Sequence, residues 1–204
     1  LLSVGFTQDH WETAVYADDD WYYKVPISEL PSDWNILDFD DLDWLNGSGG
    51  FGYGDDDDGT EIDPAISVYL RRTFTALDPE KLIDAVLHAD YDDGFVAYLN
   101  GTEICRSYNL GDPGSFVPYD ETTSIDHEAS LYLGGFPESY TLDSLQLVSL
   151  LTVGENVLAL QIHNVGITSS DMSSNFFLSF GIADESTYYG STPDWFQPPV
   201  TYGE

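Results

Sequence analysis

An aspartate-rich segment is the first place where residue types and spacing indicate chemistry. Four consecutive aspartates stand between two glycines at positions 54 and 59. Calcium takes roughly six to eight hard oxygen ligands in irregular geometry. Repulsion among neighbouring carboxylates also favours a bound cation. The spacing is not that of an EF-hand loop, so a solvated acidic turn is the alternative. The predicted calcium ligands are Asp55, Asp56, Asp57, Asp58 and Asp171, the last on condition that its loop meets the aspartate-rich loop.

Several other polar or aromatic residues are candidates for ligand binding. Asp92 and Asp93 form a turn before a predicted strand, and His163 ends another strand. Gln161 shares a face with His163 because side chains alternate along a strand. An acidic turn and a structural histidine are the plainer alternatives. The candidate ligand-binding residues are His163, Gln161, Asp92, Asp93, Arg72 and Trp44.

Arg71 and Arg72 are neighbours on a predicted strand, so they point to opposite faces. One is expected to pair with acidic groups, and a solvent-facing Arg72 would bind an anionic sugar or a neighbouring subunit. Aromatic rings stack on sugars and also anchor protein interfaces. Most are expected in the core, with one or two exposed. The aromatic residues predicted at an interface are Trp11, Tyr16, Trp195 and Phe196.

No enzyme signature occurs in the chain. It has no Gly-x-Ser-x-Gly elbow, no His-Glu-x-x-His pair and no phosphate loop. A glycosidase needs two positioned carboxylates, but 37 acidic residues give no basis for choosing a pair. We therefore predict a protein that is not an enzyme.

Asp and Glu total 37 against 5 Lys and Arg, for a formal net charge of −32. Such a surface repels phosphate backbones and anionic lipid, so nucleic acid is excluded as a partner. Self-repulsion favours a saline or calcium-rich setting. The low content of lysine and cysteine, with many Tyr, Trp and Gly, indicates an extracellular or cell-surface location. No run of about 18 apolar residues is present, so we predict no membrane span.

Short strand-like runs between Gly, Pro, Asp and Asn clusters predict an all-β antiparallel sandwich with one or two short helices. Asn100-Gly101 predicts a two-residue hairpin turn, and Asn46 and Asn100 begin glycosylation sequons. The predicted helices are residues 141–151 and one turn at Pro79. The best-defined strands are predicted at residues 67–75, 83–90, 95–100, 102–107, 156–164 and 175–182.

The predicted organisation has three parts. Residues 1–20 form an N-terminal extension, which is an added or exchanged strand; residues 21–183 form the sandwich; residues 184–204 form an aromatic C-terminal extension. Both extensions carry aromatics, which linkers rarely do, so we expect them to pack on their own domain or on a neighbouring copy.

The order of several motifs resembles that of galactose-binding-like jelly-roll domains. The chain is similar to the sugar-binding domain of family 2 glycoside hydrolases and to modules appended to secreted bacterial phosphoesterases and lamin-tail-domain proteins. The resemblance covers roughly residues 21–182. Its motifs are Trp21 with Tyr23, FDDLDW at 39–44, FGYGD at 51–55, YLRRTF at 69–74, YDDGFVAYLNG at 91–101, GENVLAL at 154–160, and His163 followed by SSD at 169–171.

The resemblance implies a β-sandwich without catalytic residues, in which the acidic loop and the Ser-Ser-Asp loop hold a cation or ligand. The positions that carry this over are Asp55, Asp57, Asp58, His163 and Asp171. Two functions follow as hypotheses. The first is an extracellular module that binds a polysaccharide or glycan and is stabilised by calcium. The alternative is a self-assembling subunit of a fibre or surface layer whose termini dock on copies of itself.

Overall fold

Runs rich in β-branched and aromatic residues become the strands of two antiparallel sheets in a computed structural model, which describes residues 8–54 and 58–199. The strands are β1 (His10–Val15), β2 (Asp20–Lys24), β3 (Leu45–Ser48), β4 (Phe51–Gly52), β5 (Thr60–Glu61), β6 (Ser67–Ala76), β7 (Leu82–Asp92), β8 (Gly94–Leu99), β9 (Thr102–Arg106), β10 (Glu138–Leu142), β11 (Gly154–His163), β12 (Ser173–Ile182) and β13 (Gly190–Ser191).

One sheet has the strand order β10-β7-β12-β1-β13, and the other has the order β3-β2-β6-β11-β8-β9. All pairings within these two sheets are antiparallel, while β4 and β5 form a short parallel pair. The core between the sheets is aliphatic and aromatic, with Leu160, Leu87 and Phe176 almost fully buried. The predicted antiparallel β-sandwich is confirmed.

The hairpin between β8 and β9 turns at the predicted residues. Asn100 and Gly101 have φ values of 49° and 85°, the left-handed conformations that a type I′ turn needs. The Asn100 amide is also engaged: its Nδ2 donates to the Leu150 carbonyl at 2.9 Å and to Asn156 Oδ1 at 2.7 Å, while its Oδ1 accepts from Val157 N at 2.9 Å. The hairpin is thereby fixed to β11.

The helix α1 spans Ser144–Leu150, a shorter segment than predicted. Residues 138–142 pair with β7 instead, and Asp143 then caps the helix by accepting from Leu145 N and Gln146 N at 2.9 Å each. Leu147 is buried, whereas Leu145 is 81% exposed. The helix therefore packs on the sandwich through Leu147. A 3₁₀ turn at Pro79–Lys81 matches the other predicted helical turn. No helix in the described parts of the chain is long and apolar enough to span a membrane.

Both faces of β11, in the six-stranded sheet, are covered. Leu158 and Ile162 face the core, and Ala159 and Gln161 on the opposite face of β11 are also buried. Two segments lie over that outer face: residues 30–44, which bring Trp34 against Tyr69 with ring centroids 4.7 Å apart, and the connection between β9 and β10. This connection, residues 107–137, is called the long connection below.

The predicted extensions contribute strands to the same sandwich. β1 lies between β12 and β13 in the five-stranded sheet, and β13 comes from the C-terminal segment. The Glu12 side chain, which is 4% exposed, joins them by accepting from Tyr188 N and Tyr189 N at 2.8 Å each. Residues 8–20 and 184–199 thus belong to the folded unit.

Candidate functional site

Three carboxylates from three separate elements converge at one end of the sandwich. Asp92 ends β7, Glu128 lies in the long connection, and Asp171 lies in the loop before β12. One oxygen from each lies within 4.8 Å of the other two. Asp92 is buried, Asp171 is half-buried and Glu128 is exposed. We call these residues the acidic triad.

The donor set of the acidic triad fits a hard divalent cation. Three negative charges within 4.8 Å repel one another, by about 1 kcal/mol per pair even at the dielectric constant of water. Its donors are all carboxylate oxygens, the type that calcium prefers, whereas zinc sites draw on sulfur and nitrogen. The exposed side at Glu128 leaves room for water to complete the coordination.

Asp93, the next residue after Asp92, is engaged with the backbone. Its Oδ1 accepts from His127 N at 2.8 Å and its Oδ2 accepts from Val165 N at 2.6 Å. Its carbonyl also accepts from Asn109 Nδ2 at 3.0 Å. Asp93 therefore holds the long connection and the loop after β11 together, and it is 2% exposed. Within this conformation it positions loops and has no surface for a ligand.

The predicted meeting of the acidic loop with the Ser-Ser-Asp loop occurs at Tyr53, which forms an antiparallel bridge with Met172. The two loops approach each other closely here: a Cβ atom added at Gly54 would lie 3.0 Å from the Asp171 Cα. Asp58 lies beside Gly52. The remaining predicted ligands Asp55, Asp56 and Asp57 lie outside the described residues, and their role stays a prediction.

Gln161 and His163 lie beneath the long connection and do not reach solvent. Gln161 Nε2 donates to Tyr69 Oη at 2.6 Å and to the Val117 carbonyl at 3.0 Å. His163 Nδ1 donates to the Glu121 carbonyl at 2.7 Å, and burial lowers the pKa of its imidazole to about 4. The structure therefore places both residues in a support for the long connection. His163 Nε2 has no hydrogen-bond partner among the described residues, and Gln161 lines a small cavity of about 100 Å³, so their ligand role stays a prediction.

Arg72 and Trp44 also have partners within the chain. Arg72 Nε lies 3.6 Å from Asp19 Oδ2, and its Nη1 donates to the Asp20 carbonyl at 3.0 Å. Trp44 is 6% exposed and stacks on Trp34 with ring centroids 6.4 Å apart. The other arginine of the pair, Arg71, is buried and bonds Asp41 at 2.8 Å. The expected pairing of one arginine thus applies to both.

The aromatic residues predicted at an interface pack on the outer face of their own five-stranded sheet. The Trp195 ring lies 4.9 Å from Phe177 and 5.2 Å from His88. Phe196 lies 5.5 Å from Trp11, and Tyr16 Oη donates to the Ser191 carbonyl. Packing on the chain's own domain, one of the two expectations for these ends, accounts for all four residues.

A polar cavity of about 510 Å³ in the long connection combines exposed aromatic rings with hydrogen-bonding groups. Tyr108 and Phe116 line it and are 68% and 73% exposed. Asp112, Glu121 and Ser124 supply carboxylate and hydroxyl groups. This combination is typical of sugar sites, because rings pack on the apolar face of a sugar while polar groups bind its hydroxyls. We call it the aromatic cavity.

Arg106 holds the aromatic cavity in shape. Its guanidinium makes a bidentate pair with Glu103, at 2.7 Å for both bonds, and also donates to the Leu110 carbonyl at 2.9 Å and to Ser115 Oγ and the Ser115 carbonyl at 3.1 and 2.8 Å. Sequence reasoning missed Arg106, Tyr108, Phe116 and Glu128. The glycine-rich run Gly111-Asp-Pro-Gly114 was the available signal of a structured loop.

Another cavity, of about 570 Å³, lies beside β1, β7 and β10 and is lined by Trp11, Asp84 and Asp143. Burial raises the pKa of Asp84, and the neighbouring Asp143 carboxylate adds to the rise. Its one aromatic wall, Trp11, is half-buried against Phe196. The aromatic cavity presents more open ring surface and is the better candidate for a glycan.

No family model matches the sequence, and no curated protein matches it. Solved structures do match. A β-glucuronidase from an uncultured Clostridium species is 18% identical with a TM-score of 0.50 over 89% of this chain and 30% of its own. A Bacteroides uniformis β-glucuronidase is 14% identical with a TM-score of 0.50 over 84% and 18%. A calcium-binding mutant of B. uniformis β-glucuronidase 2 gives the same values.

This chain therefore corresponds to between 18% and 30% of the length of these neighbours, and at such identities the likeness concerns the fold alone. The predicted similarity to phosphoesterase-appended and lamin-tail-domain modules finds no support in these comparisons. The chain has the fold of the β-sandwich domain of family 2 glycoside hydrolases.

Proposed function

We propose that this chain is a non-catalytic, extracellular carbohydrate-binding module that is stabilised by calcium. The observation that carries the proposal is the aromatic cavity, in which exposed Tyr108 and Phe116 stand beside polar side chains on a sandwich of the glycoside hydrolase type. The absence of an enzyme signature from the sequence supports a binding role. The net charge of −32 supports a calcium-rich setting.

The acidic triad is the proposed calcium site. Glu128 belongs to the same long connection as Tyr108 and Phe116, whereas Asp92 and Asp171 belong to the strands and loops beneath it. A cation held by all three would attach the long connection to the sandwich. Calcium would then stiffen the segment that carries the aromatic cavity without touching the sugar.

Glycan binding is tested with a screen of soluble oligosaccharides followed by isothermal titration calorimetry. The variants Tyr108→Ala and Phe116→Ala are each expected to weaken binding about tenfold, since an aromatic stacking contact contributes about 1 kcal/mol or more. Phe136→Ala is the matched control, because Phe136 is 59% exposed in the long connection and does not line the cavity. Equal losses in all three variants, or no binding by the unaltered protein, would refute the proposal.

A further inference from the structure

All five lysine and arginine residues of the chain lie in its described parts, and each is paired with an acidic side chain. The nitrogen–oxygen distances range from 2.7 to 3.6 Å. The pairs are Lys24 with Asp43, Arg71 with Asp41, Arg72 with Asp19, Lys81 with Asp184, and Arg106 with Glu103. A ligand carboxylate, sulfate or phosphate would have to share its cation with one of these internal carboxylates.

The histidines do not supply the missing cation. His10 contacts Asp9 and Glu12, and His127 contacts Glu138. His88 and His163 are buried, and burial lowers the pKa of both to about 4, so both are neutral at physiological pH. None of the four lines the aromatic cavity.

Arg106 is the cation nearest in sequence to the aromatic cavity, and it has no donor left for a ligand. A guanidinium carries five N–H donors. Its hydrogen-bond partners use one at Nε, two at Nη1 and two at Nη2, and the side chain is 3% exposed. The charge of Arg106 is also compensated by Glu103 at 2.7 Å.

The groups that the aromatic cavity does present are acceptors and hydroxyls. Asp112 and Glu121 line it with carboxylates, and Ser124 and Thr122 line it with hydroxyls. Carboxylates accept hydrogen bonds from sugar hydroxyls. They repel an anionic substituent at the same distance, and the remaining charge of the molecule adds to this repulsion.

We infer that the aromatic cavity is specific for neutral glycans and rejects glycans that carry uronate, sulfate or phosphate groups. This inference rests on the proposed function and names the substrate class of that site. Selectivity comes from an absence of free cations together with two lining carboxylates, and not from a dedicated contact to a neutral group.

The test compares each neutral oligosaccharide that binds in the screen with the same oligosaccharide oxidised at C6 to its uronic acid. Linkage, ring shape and size are then kept, and one hydroxymethyl group becomes a carboxylate. Calorimetry at low salt is expected to show at least about tenfold weaker binding of the oxidised form. The difference is expected to shrink at about 1 M NaCl, where the Debye length is near 3 Å.

The double variant Asp112→Asn/Glu121→Gln is expected to reduce the discrimination. Its control, Asp126→Asn/Glu185→Gln, removes the same two charges at exposed positions that do not line the cavity, and is expected to keep the discrimination. Oxidised sugars that bind as well as neutral ones, in buffer or with calcium, would overturn this inference and leave the proposed function standing. Failure of both forms to bind would refute the proposed function, and the inference with it.

Discussion

Asp92 and Asp93 are neighbours in the chain and have different partners. Asp93 accepts hydrogen bonds from two backbone amides of distant loops, at 2.6 and 2.8 Å, whereas Asp92 faces the carboxylates of Glu128 and Asp171. The two aspartates therefore have different roles. Asp93 connects two loops through hydrogen bonds, whereas Asp92 belongs to a cluster of carboxylates. The role of each carboxylate is set by the groups that the fold places next to it.

Calcium is expected to raise the melting temperature of the unaltered protein by about 5 °C at a hundredfold excess over its dissociation constant. Glu128→Gln is expected to remove most of this rise, since it deletes one of three charged ligands. Asp126→Asn is the control, because Asp126 is an exposed carboxylate two residues away and is not in the acidic triad. Thermal unfolding with calcium and with chelator gives both values. A rise that is the same in both variants would contradict calcium binding at the acidic triad.

His88 makes stability depend on pH. Burial lowers its pKa to about 4, against 6.5 for the free side chain, and its Nδ1 has no hydrogen-bond partner among the described residues. The unfolded chain therefore takes up a proton more readily, so stability is lost as pH falls from 6.5 towards 4. On going from pH 7.5 to pH 5, the unaltered protein is expected to lose about 2 kcal/mol of unfolding free energy that His88→Phe retains. Urea unfolding at the two pH values measures the loss; an unchanged difference would refute this account.

At the scale of elements, strands with strong patterns were predictable from the sequence and the segments between them were not. Residues 67–75 and 175–182 were predicted to within two residues of β6 and β12, because their β-branched and aromatic content is unambiguous. Asn100-Gly101 specified its turn through the positive φ that both residues tolerate. The alternation along β11 correctly placed Gln161 and His163 on one face, where both contact the long connection.

The same alternation could not show that the second face of β11 is covered. The cover comes from residues 30–44 and the long connection, which are distant in sequence and lack periodicity. They are held there by contacts with residues far away in sequence, such as that of Gln161 with the Val117 carbonyl at 3.0 Å and that of Trp34 with Tyr69. For this reason the ligand role predicted for Gln161 and His163 did not lead to the aromatic cavity, and Tyr108 and Phe116 were overlooked. Only Asp92 and Asp171 among the predicted site residues lie in the acidic triad.

The first part of the long connection is expected to depend on Arg106. Lysine at this position keeps the charge and loses the planar fork that binds Glu103, Leu110 and Ser115 together. Arg106→Lys is expected to cost about 2 kcal/mol of unfolding free energy. It is also expected to raise hydrogen exchange in residues 107–118 more than in β6, and to weaken glycan binding. Uniform exchange across both segments would show that Arg106 acts on global stability and does not position the cavity.

The charge of the whole molecule predicts a strong response to salt. With 37 acidic and 5 basic residues, the folded state is subject to self-repulsion that simple electrolytes screen. The melting temperature is expected to rise by several degrees between about 20 mM and 500 mM NaCl, in the acidic-triad variant as well as in the unaltered protein. Loss of the salt response in Glu128→Gln would show instead that one cation site accounts for it.

Removal of the C-terminal segment tests whether the aromatic ends serve assembly. Deleting residues 184–204 uncovers Trp11, His88 and Phe177, on which Trp195 and Phe196 pack. The truncated chain is expected to self-associate more than the full chain, because an exposed aromatic patch favours association. Light scattering on both forms decides the question. Polymers of the full chain that disappear on truncation would favour the fibre-forming alternative.

The anchored hairpin turn affects a slow chemical modification of the protein, the deamidation of Asn100. An asparagine followed by glycine is the sequence most open to deamidation, because the next backbone nitrogen attacks the side-chain carbonyl with little steric hindrance. In this fold both ends of the Asn100 amide are held, by Leu150, Asn156 and Val157. The side-chain Nδ2 must break its hydrogen bonds before it can depart as ammonia. Deamidation therefore requires local opening of the hairpin. The rate of deamidation at position 100 would therefore report how often the end of β8 separates from β11.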